Sequence, residues 1–185
     1  MTTLAFDDPL DAAHRRRLLW AMPTGLYVLG SRDAPGTAWN LMTHSLAVQA
    51  SVDPCVVAVA VEVGARTHAF IDAASVATLT VLRRDQRALA RRFVKPVDDV
   101  EVADGAPIAM AGVAVALAPS GAPHLSDAAG VLDLVVLERV RFASHTLFCC
   151  EVTGVAASAA VLEGTASERL VDVLRMEDTK MSYGG

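Results

Sequence analysis

Charge and aromatic residues are in short supply in this chain: charged residues make up 20% and aromatics 5% of its 185 residues. Hydrophobic residues make up 53%, so a disordered polar chain is excluded, because too much apolar surface is available for burial. Long apolar runs are missing as well, although the mean hydropathy is +0.40. The longest, 55–61 and 108–117, fall well short of the ~20 residues that span a bilayer, and Glu62 and Pro119 interrupt them. No membrane partner is expected. Positive charge is not in excess either, with a net charge of −5 and no global field that favours nucleic acid. The Arg15–Arg17 triplet and the cluster Arg83, Arg84, Arg87, Arg91 and Arg92 read as solvated helix faces.

Cysteine is limited to Cys55, Cys149 and Cys150, with no C-x-x-C pair. Neighbouring cysteines in a strand point to opposite faces, so neither a metal site nor a redox pair is expected, and a reducing cytoplasm fits best. Asp7, Asp8 and Asp11 have the wrong sign for a secretory leader. No P-loop, no G-x-S-x-G elbow and no G-x-G-x-x-G occurs, which removes support for nucleotide triphosphatase, hydrolase and doubly wound readings. His14, His44, His68 and His124 are too scattered for a metal set.

What remains is a single domain over 1–185. Asp8 and Pro9 predict a helix start, and Pro23 a stop, giving an N-terminal helix within 1–22. Strands are expected at 25–30, over 37–42 and 45–51 as a kinked pair, and at 55–62, 76–82, 108–117, 131–142 and 145–155. Short helices are expected at 67–74 and 85–94, the latter because Leu89 and Phe93 lie four apart behind Asp85. Segments 95–107 and 119–130 read as loops, and 170–185 as a short apolar segment followed by a polar tail. Many strands with few helices predict a mainly β domain, most simply a closed barrel.

Three polar groups stand out. Asn40-Leu41-Met42-Thr43-His44-Ser45 suits anion binding or hydrogen bonding to a heteroaromatic rim, or else a bend whose polar groups serve its own backbone. Arg66-Thr67-His68 opens a helix and reads as a phosphate cradle or a plain cap. His145-Thr146 opens the last strand; a histidine there either meets a nicotinamide or is structural.

In order, these pieces resemble the flavin reductase-like family of FMN-binding split-barrel flavoproteins, over about residues 17–148. The similar stretches are Ala21-Met22-Pro23-Thr24-Gly25-Leu26-Tyr27-Val28-Leu29, the run from Asn40 to the Ser51-Val52-Asp53-Pro54 turn, Arg66-Thr67-His68, and the 86–93 helix ending at a Phe. The resemblance implies a six-stranded antiparallel split barrel with a few short helices, normally a homodimer. It implies that Asn40, Leu41, Met42, Thr43, His44 and Ser45 hold the flavin ring and ribityl chain, with Ser51 and Asp53 nearby. Arg66, Thr67 and His68 would stand at the phosphate, and His145 would serve hydride transfer from NADH or NADPH. FMN is the implied cofactor, with FAD the alternative. The implied activity is an NAD(P)H:flavin oxidoreductase, with a monooxygenase as the candidate partner. Where the family often has Gly-Asp-His, this chain has Ala143-Ser144-His145, and Cys149 stands where Gly is usual. Flavin binding is therefore implied more firmly than fast NAD(P)H oxidation, and the alternative is a flavin-binding or electron-transfer protein without efficient turnover.

Overall fold

The computed structural model describes residues 12–162 and 172–179. Helix α1 (Ala12–Trp20) precedes four strands: β1 (Tyr27–Arg32), β2 (Trp39–His44), β3 (Ala47–Ser51) and β4 (Val56–Glu62). Helix α2 (Arg66–Ala74) leads to β5 (Val76–Val81), then to a 3-10 turn (Arg84–Gln86) that continues into α3 (Arg87–Ala90). Four short strands follow, β6 (Val100–Ala103), β7 (Ala106–Met110), β8 (Val113–Leu117) and β9 (Pro123–Leu125). The long strands β10 (Gly130–Arg141) and β11 (His145–Ala157), helix α4 (Ala159–Leu162) and a 3-10 turn (Met176–Asp178) complete the described chain.

The fold is mainly β and antiparallel. Seven strands form one sheet in the order β2-β1-β5-β10-β11-β4-β3, and β6 to β9 form a second. The outermost strands of the large sheet, β2 and β3, are joined by only two residues, Ser45 and Leu46. The sheet must therefore curl until its two edges meet at that bend. Its strands β1, β2, β4 and β5 are covered on both faces, whereas β11 alternates and β3 is largely exposed. In β1, Val28 enters a core with Leu41, Phe93, Met110 and Leu125, whereas its neighbour Leu29 enters a second core with Val59, Ile71 of α2, Leu134 and Phe148. Successive residues of a strand point to opposite faces, so a sheet buried twice requires continuous apolar runs such as Val57-Ala58-Val59 rather than alternation.

The small sheet docks where side chains are minimal. Thr78 Oγ1 donates to the Pro123 carbonyl directly over Gly30. A Cβ on Gly30 would run into that carbonyl, so the close approach of β9 to β1 requires glycine there.

Several expectations are corrected. The main sheet has seven strands, not six, and a second sheet of four adds to it. The 95–107 loop contains β6 and the start of β7, joined at Asp104-Gly105, both with positive φ (52° and 78°). That Asp-Gly pair is a strong hairpin signal that the acidic composition around it obscured. The expected strand 108–117 is two strands. Ala111 and Gly112, with φ of 51° and 66°, make a two-residue turn of the type that matches strand twist. The loop 119–130 contains β9.

The helix expected at 85–94 ends at Ala90. Its next carbonyls are taken by β2: Thr43 Oγ1 donates to Ala90 O, and Thr43 N donates to Phe93 O at 2.9 Å. A tertiary strand outcompetes the helical ladder. Asp85 is not its cap; Gln86 Oε1 accepts from Arg83 N at 2.9 Å and closes the turn instead.

Nor is the arginine cluster simply solvated. Arg83 holds Asp127 through two contacts of 2.7 and 2.9 Å, and Arg84 pairs with Asp178 at 2.8 Å and Asp172 at 3.2 Å. The Arg84 contacts fasten residues 172–179 across the body, where Leu174 is 1% exposed and joins the first core. The expected helix start at Asp8 and, of the 170–185 tail, residues 170–171 and 180–185 lie outside the described residues. Among the described residues, no helix is long and apolar enough to cross a membrane.

Candidate functional site

Two pieces of chain meet beside the amino end of α2. Strand β2 presents Asn40, Met42 and Thr43, and the start of α2 presents Ala65, Arg66 and Thr67. Between them lies a cavity of about 180 Å³, closed on its outer side by Val94, Lys95 and Pro96 and bordered by Glu62 at the end of β4. The N-cap residue of α2 is Ala65, which has no capping side chain. The first amides of α2 therefore present unsatisfied donors and the positive end of the helix dipole at this cavity.

A dense hydrogen-bond set builds the walls. Asn40, only 2% exposed, donates from Nδ2 to Thr67 Oγ1 at 2.8 Å, and its Oδ1 accepts from Val97 N at 3.1 Å. Arg66 donates from Nη1 to Val97 O at 2.8 Å and pairs through Nη2 with Asp98 at 2.8 Å. Thr43 ties β2 to residues 90 and 93, as described above. β2, α2 and the segment 94–98 are thus locked together by polar side chains, and the Asn40 bonds lie in a buried setting, where they are costly to lose, while the Arg66–Asp98 pair is exposed.

The structure therefore gathers Asn40, Met42, Thr43, Arg66 and Thr67 around one cavity. The other candidates stand elsewhere. Leu41 is fully buried, its side chain in the first core. His44 and Ser45 are buried at the β2–β3 bend, where His44 Nε2 lies 3.1 Å from Leu46 O and Nδ1 has no partner. Burial pushes the His44 imidazole down to about 4, so the ring is neutral near pH 7. Ser51 ends β3 opposite Val56, and Asp53 is exposed in the turn after it. His68 faces inward from α2, with Nε2 at 2.8 Å from Thr146 Oγ1 and its ring against Phe148.

His145 opens β11, with Nδ1 3.0 Å from Ser144 Oγ. It pairs across the sheet with Glu62, which borders the cavity, so His145 stands one strand away from it.

Sequence reasoning missed Lys95, Glu62 and the apolar wall of Val94 and Pro96. Lys95 was legible as a lone cation in an acidic stretch, followed by a proline, but nothing local tied it to Arg66, which lies far back along the chain. Cys150 is buried, and its thiol is pushed up to about 12 by that burial, which leaves it inert.

A family profile described as a flavin reductase like domain matches residues 19–172. No curated protein matches the chain. Among solved structures, the chain is similar to an NADH:FAD oxidoreductase of Streptomyces globisporus, at 25% identity and TM-score 0.68, over 85% of this chain and 84% of that one. It is similar to the styrene monooxygenase flavin reductase of Pseudomonas putida S12, at 23% identity and TM-score 0.63, over 77% and 86%. It is also similar to an FMN-binding protein of Thermus thermophilus, at 21% identity and TM-score 0.65, over 88% and 85%.

Proposed function

This chain belongs to the flavin reductase-like family, and from that footing we propose that it binds FMN and catalyses its reduction by NADH or NADPH. The observation that carries the reading is the joint placement of an uncapped helix terminus, Arg66 and Lys95 on one cavity with Asn40, Met42 and Thr43 on its facing wall. An anionic group fits one end of such a site, and an apolar planar ring fits the other. These residues suit a flavin phosphate. FAD remains the alternative flavin, which the S. globisporus neighbour takes according to its name.

Bound flavin supplies the redox chemistry, as hydride acceptor from the nicotinamide. The protein supplies placement. Met42 offers a polarizable, apolar surface for a ring to pack against. Asn40 and Thr67 hold the wall rigid, so that the ligand meets a formed site. His145, beside Glu62 at the mouth of β11, orients the nicotinamide by hydrogen bonding. Ser51 and Asp53 lie at the far end of β3, away from the residues that line the cavity.

The protein acts as a homodimer in this reading. Two adjoining apolar grooves of about 380 and 310 Å³ share Leu132 of β10 and the exposed Val155 of β11, and a second copy is the natural cover. A monooxygenase that consumes reduced flavin is the matching partner, as the name of the P. putida neighbour suggests. Three free cysteines fit a reducing cytoplasm. A second reading, flavin binding without efficient turnover, is favoured by one observation: a serine hydroxyl, not a carboxylate, holds His145 Nδ1.

The test is direct. Protein loaded with FMN should show visible flavin bands after gel filtration, and should consume NADH or NADPH when free FMN is added. Retained flavin with no consumption of either nicotinamide selects the second reading. No retained flavin and no consumption would remove both.

A further inference from the structure

His145 opens β11, and strand pairing decides what surrounds it. Val63 N donates to Ser144 O at 2.9 Å, so those two residues form a hydrogen-bonded pair. The adjacent pair, Glu62 and His145, is then one without mutual backbone bonds. Side chains approach most closely in such pairs, with Cβ atoms roughly 4.5–5.5 Å apart on one face. The other neighbours give the ring no anchor. Phe142, whose N–H donates to His145 O at 2.8 Å, presents an apolar side chain that is 58% exposed. Arg141 pairs with the buried Thr146, so alternation turns it to the opposite face. Glu138 lies on the same face but pairs with Cys149, further along β11. His44 is buried at the β2–β3 bend and neutral near pH 7. Of these side chains, only Glu62 is placed to hold the ring. It is exposed, and its carboxylate has no hydrogen bond or ion pair among the described residues.

We propose that Glu62 is a positioning residue for hydride transfer, acting through His145 from the neighbouring strand. The proposal rests on the reductase reading of the site. Ser144 Oγ lies 3.0 Å from His145 Nδ1, but a hydroxyl both donates and accepts, so it leaves open which ring nitrogen carries the hydrogen. A carboxylate accepts only. Glu62, set across the ladder, draws that hydrogen to Nδ1, where it shares the N–H with Ser144 Oγ in a charge-assisted bond. Nε2, on the far side of the ring, is then left as an acceptor for the carboxamide N–H of the nicotinamide. The tautomer and tilt of the ring are thereby set by two groups on two strands. No other described carboxylate pairs with β11 beside His145.

The experiment follows reduction of the FMN-loaded, full-length protein by NADH and by NADPH in stopped flow, with flavin affinity measured by fluorescence titration. Glu62→Ala should slow reduction at saturating nicotinamide by about tenfold, the size of one hydrogen bond to a charged group. Glu62→Gln, whose amide oxygen accepts the same hydrogen bond, should recover most of the rate. In a His145→Ala background, Glu62→Ala should cause no further slowing, because its effect passes through the ring. Flavin affinity should stay that of the wild type throughout. Equal slowing in both backgrounds overturns the proposal, since Glu62 would then act without His145. So does a wild-type rate in Glu62→Ala, a Glu62→Gln rate as low as that of Glu62→Ala, or a loss confined to flavin affinity. In each of those cases turnover by the wild type leaves the reductase reading standing. A wild type that is reduced by neither nicotinamide removes that reading and the proposal together.

Discussion

Asn40 offers the sharpest test of how the cavity is built. Its amide is 2% exposed and makes two bonds, donating to Thr67 Oγ1 at 2.8 Å and accepting from Val97 N at 3.1 Å. Asn40→Ala removes both. The buried Val97 N–H then lacks an acceptor, which costs about 1–3 kcal/mol, and the bond to Thr67 contributes about 1 kcal/mol more. The sum, roughly 2–4 kcal/mol, should lower Tm by about 4–16 °C in a chain of this length. Urea denaturation monitored by tryptophan fluorescence measures the loss. Thr67→Val keeps the shape of the side chain and deletes its hydroxyl, so a double-mutant cycle isolates the Asn40–Thr67 bond, with an expected coupling of about 0.5–1.5 kcal/mol. Because the wall at 94–96 is released, FMN and riboflavin affinities should fall together. A destabilisation below about 0.5 kcal/mol, the level of an ordinary surface change, would refute the claim that this amide ties the cavity together. A loss confined to FMN would also contradict it, since that pattern marks a direct phosphate ligand.

Three further outcomes follow from single features. His44 is held near 4 in the folded protein against 6.5 in the unfolded chain, so its neutral form stabilises the fold fully above pH 6.5, and that contribution is lost as pH falls toward 4. The depression corresponds to about 3 kcal/mol at most, so the unfolding free energies at pH 7.5 and 4.5 should differ by up to that amount less in His44→Gln than in the wild type. Equal pH slopes would mean that His44 is solvated. Leu174, 1% exposed, anchors the C-terminal piece, and Leu174→Ala should destabilise by about 2–5 kcal/mol in urea denaturation; a change within error would mean that this piece is not part of the core. His145→Ala should slow flavin reduction by NADH in stopped flow by on the order of a hundredfold, with flavin affinity unchanged. An unchanged rate would remove His145 from hydride transfer.

The predominance of β structure, and the family, were legible in the sequence for a physical reason. A strand covered on both faces needs residues that can be buried at consecutive positions, and 55–62 and 76–82 are written that way. Turn residues marked most strand ends. The misreadings came where local and tertiary preferences compete. Leu89 and Phe93 have helical spacing, yet Thr43 of β2 takes the Ala90 carbonyl that Val94 N–H would need in a helix from 85 to 94. Apolar residues on both sides of Ala111-Gly112 hid a hairpin, because composition does not register two consecutive positive φ angles.

The residues of the cavity divide in the same way. Short-range order identified Asn40, Met42, Thr43, Arg66 and Thr67 as polar or chain-end positions of a kind that meets ligands, since their types and neighbours are read directly from the chain. Which of them point outward was decided only in three dimensions. Strand alternation sends Leu41 into the core while Asn40 and Met42 border the cavity, and a shift of one residue in register would have reversed this. Burial of the bend neutralised His44, and strand pairing set His145 beside Glu62 rather than in the cavity. Long-range hydrogen bonds consumed Asn40 and Arg66, the two most ligand-like side chains, and left Lys95 exposed on the opposite wall. The sequence by itself determined what kinds of side chain the site could have. The tertiary structure decided which were free to use, because a polar group that is satisfied by its own fold has little left to gain from a ligand.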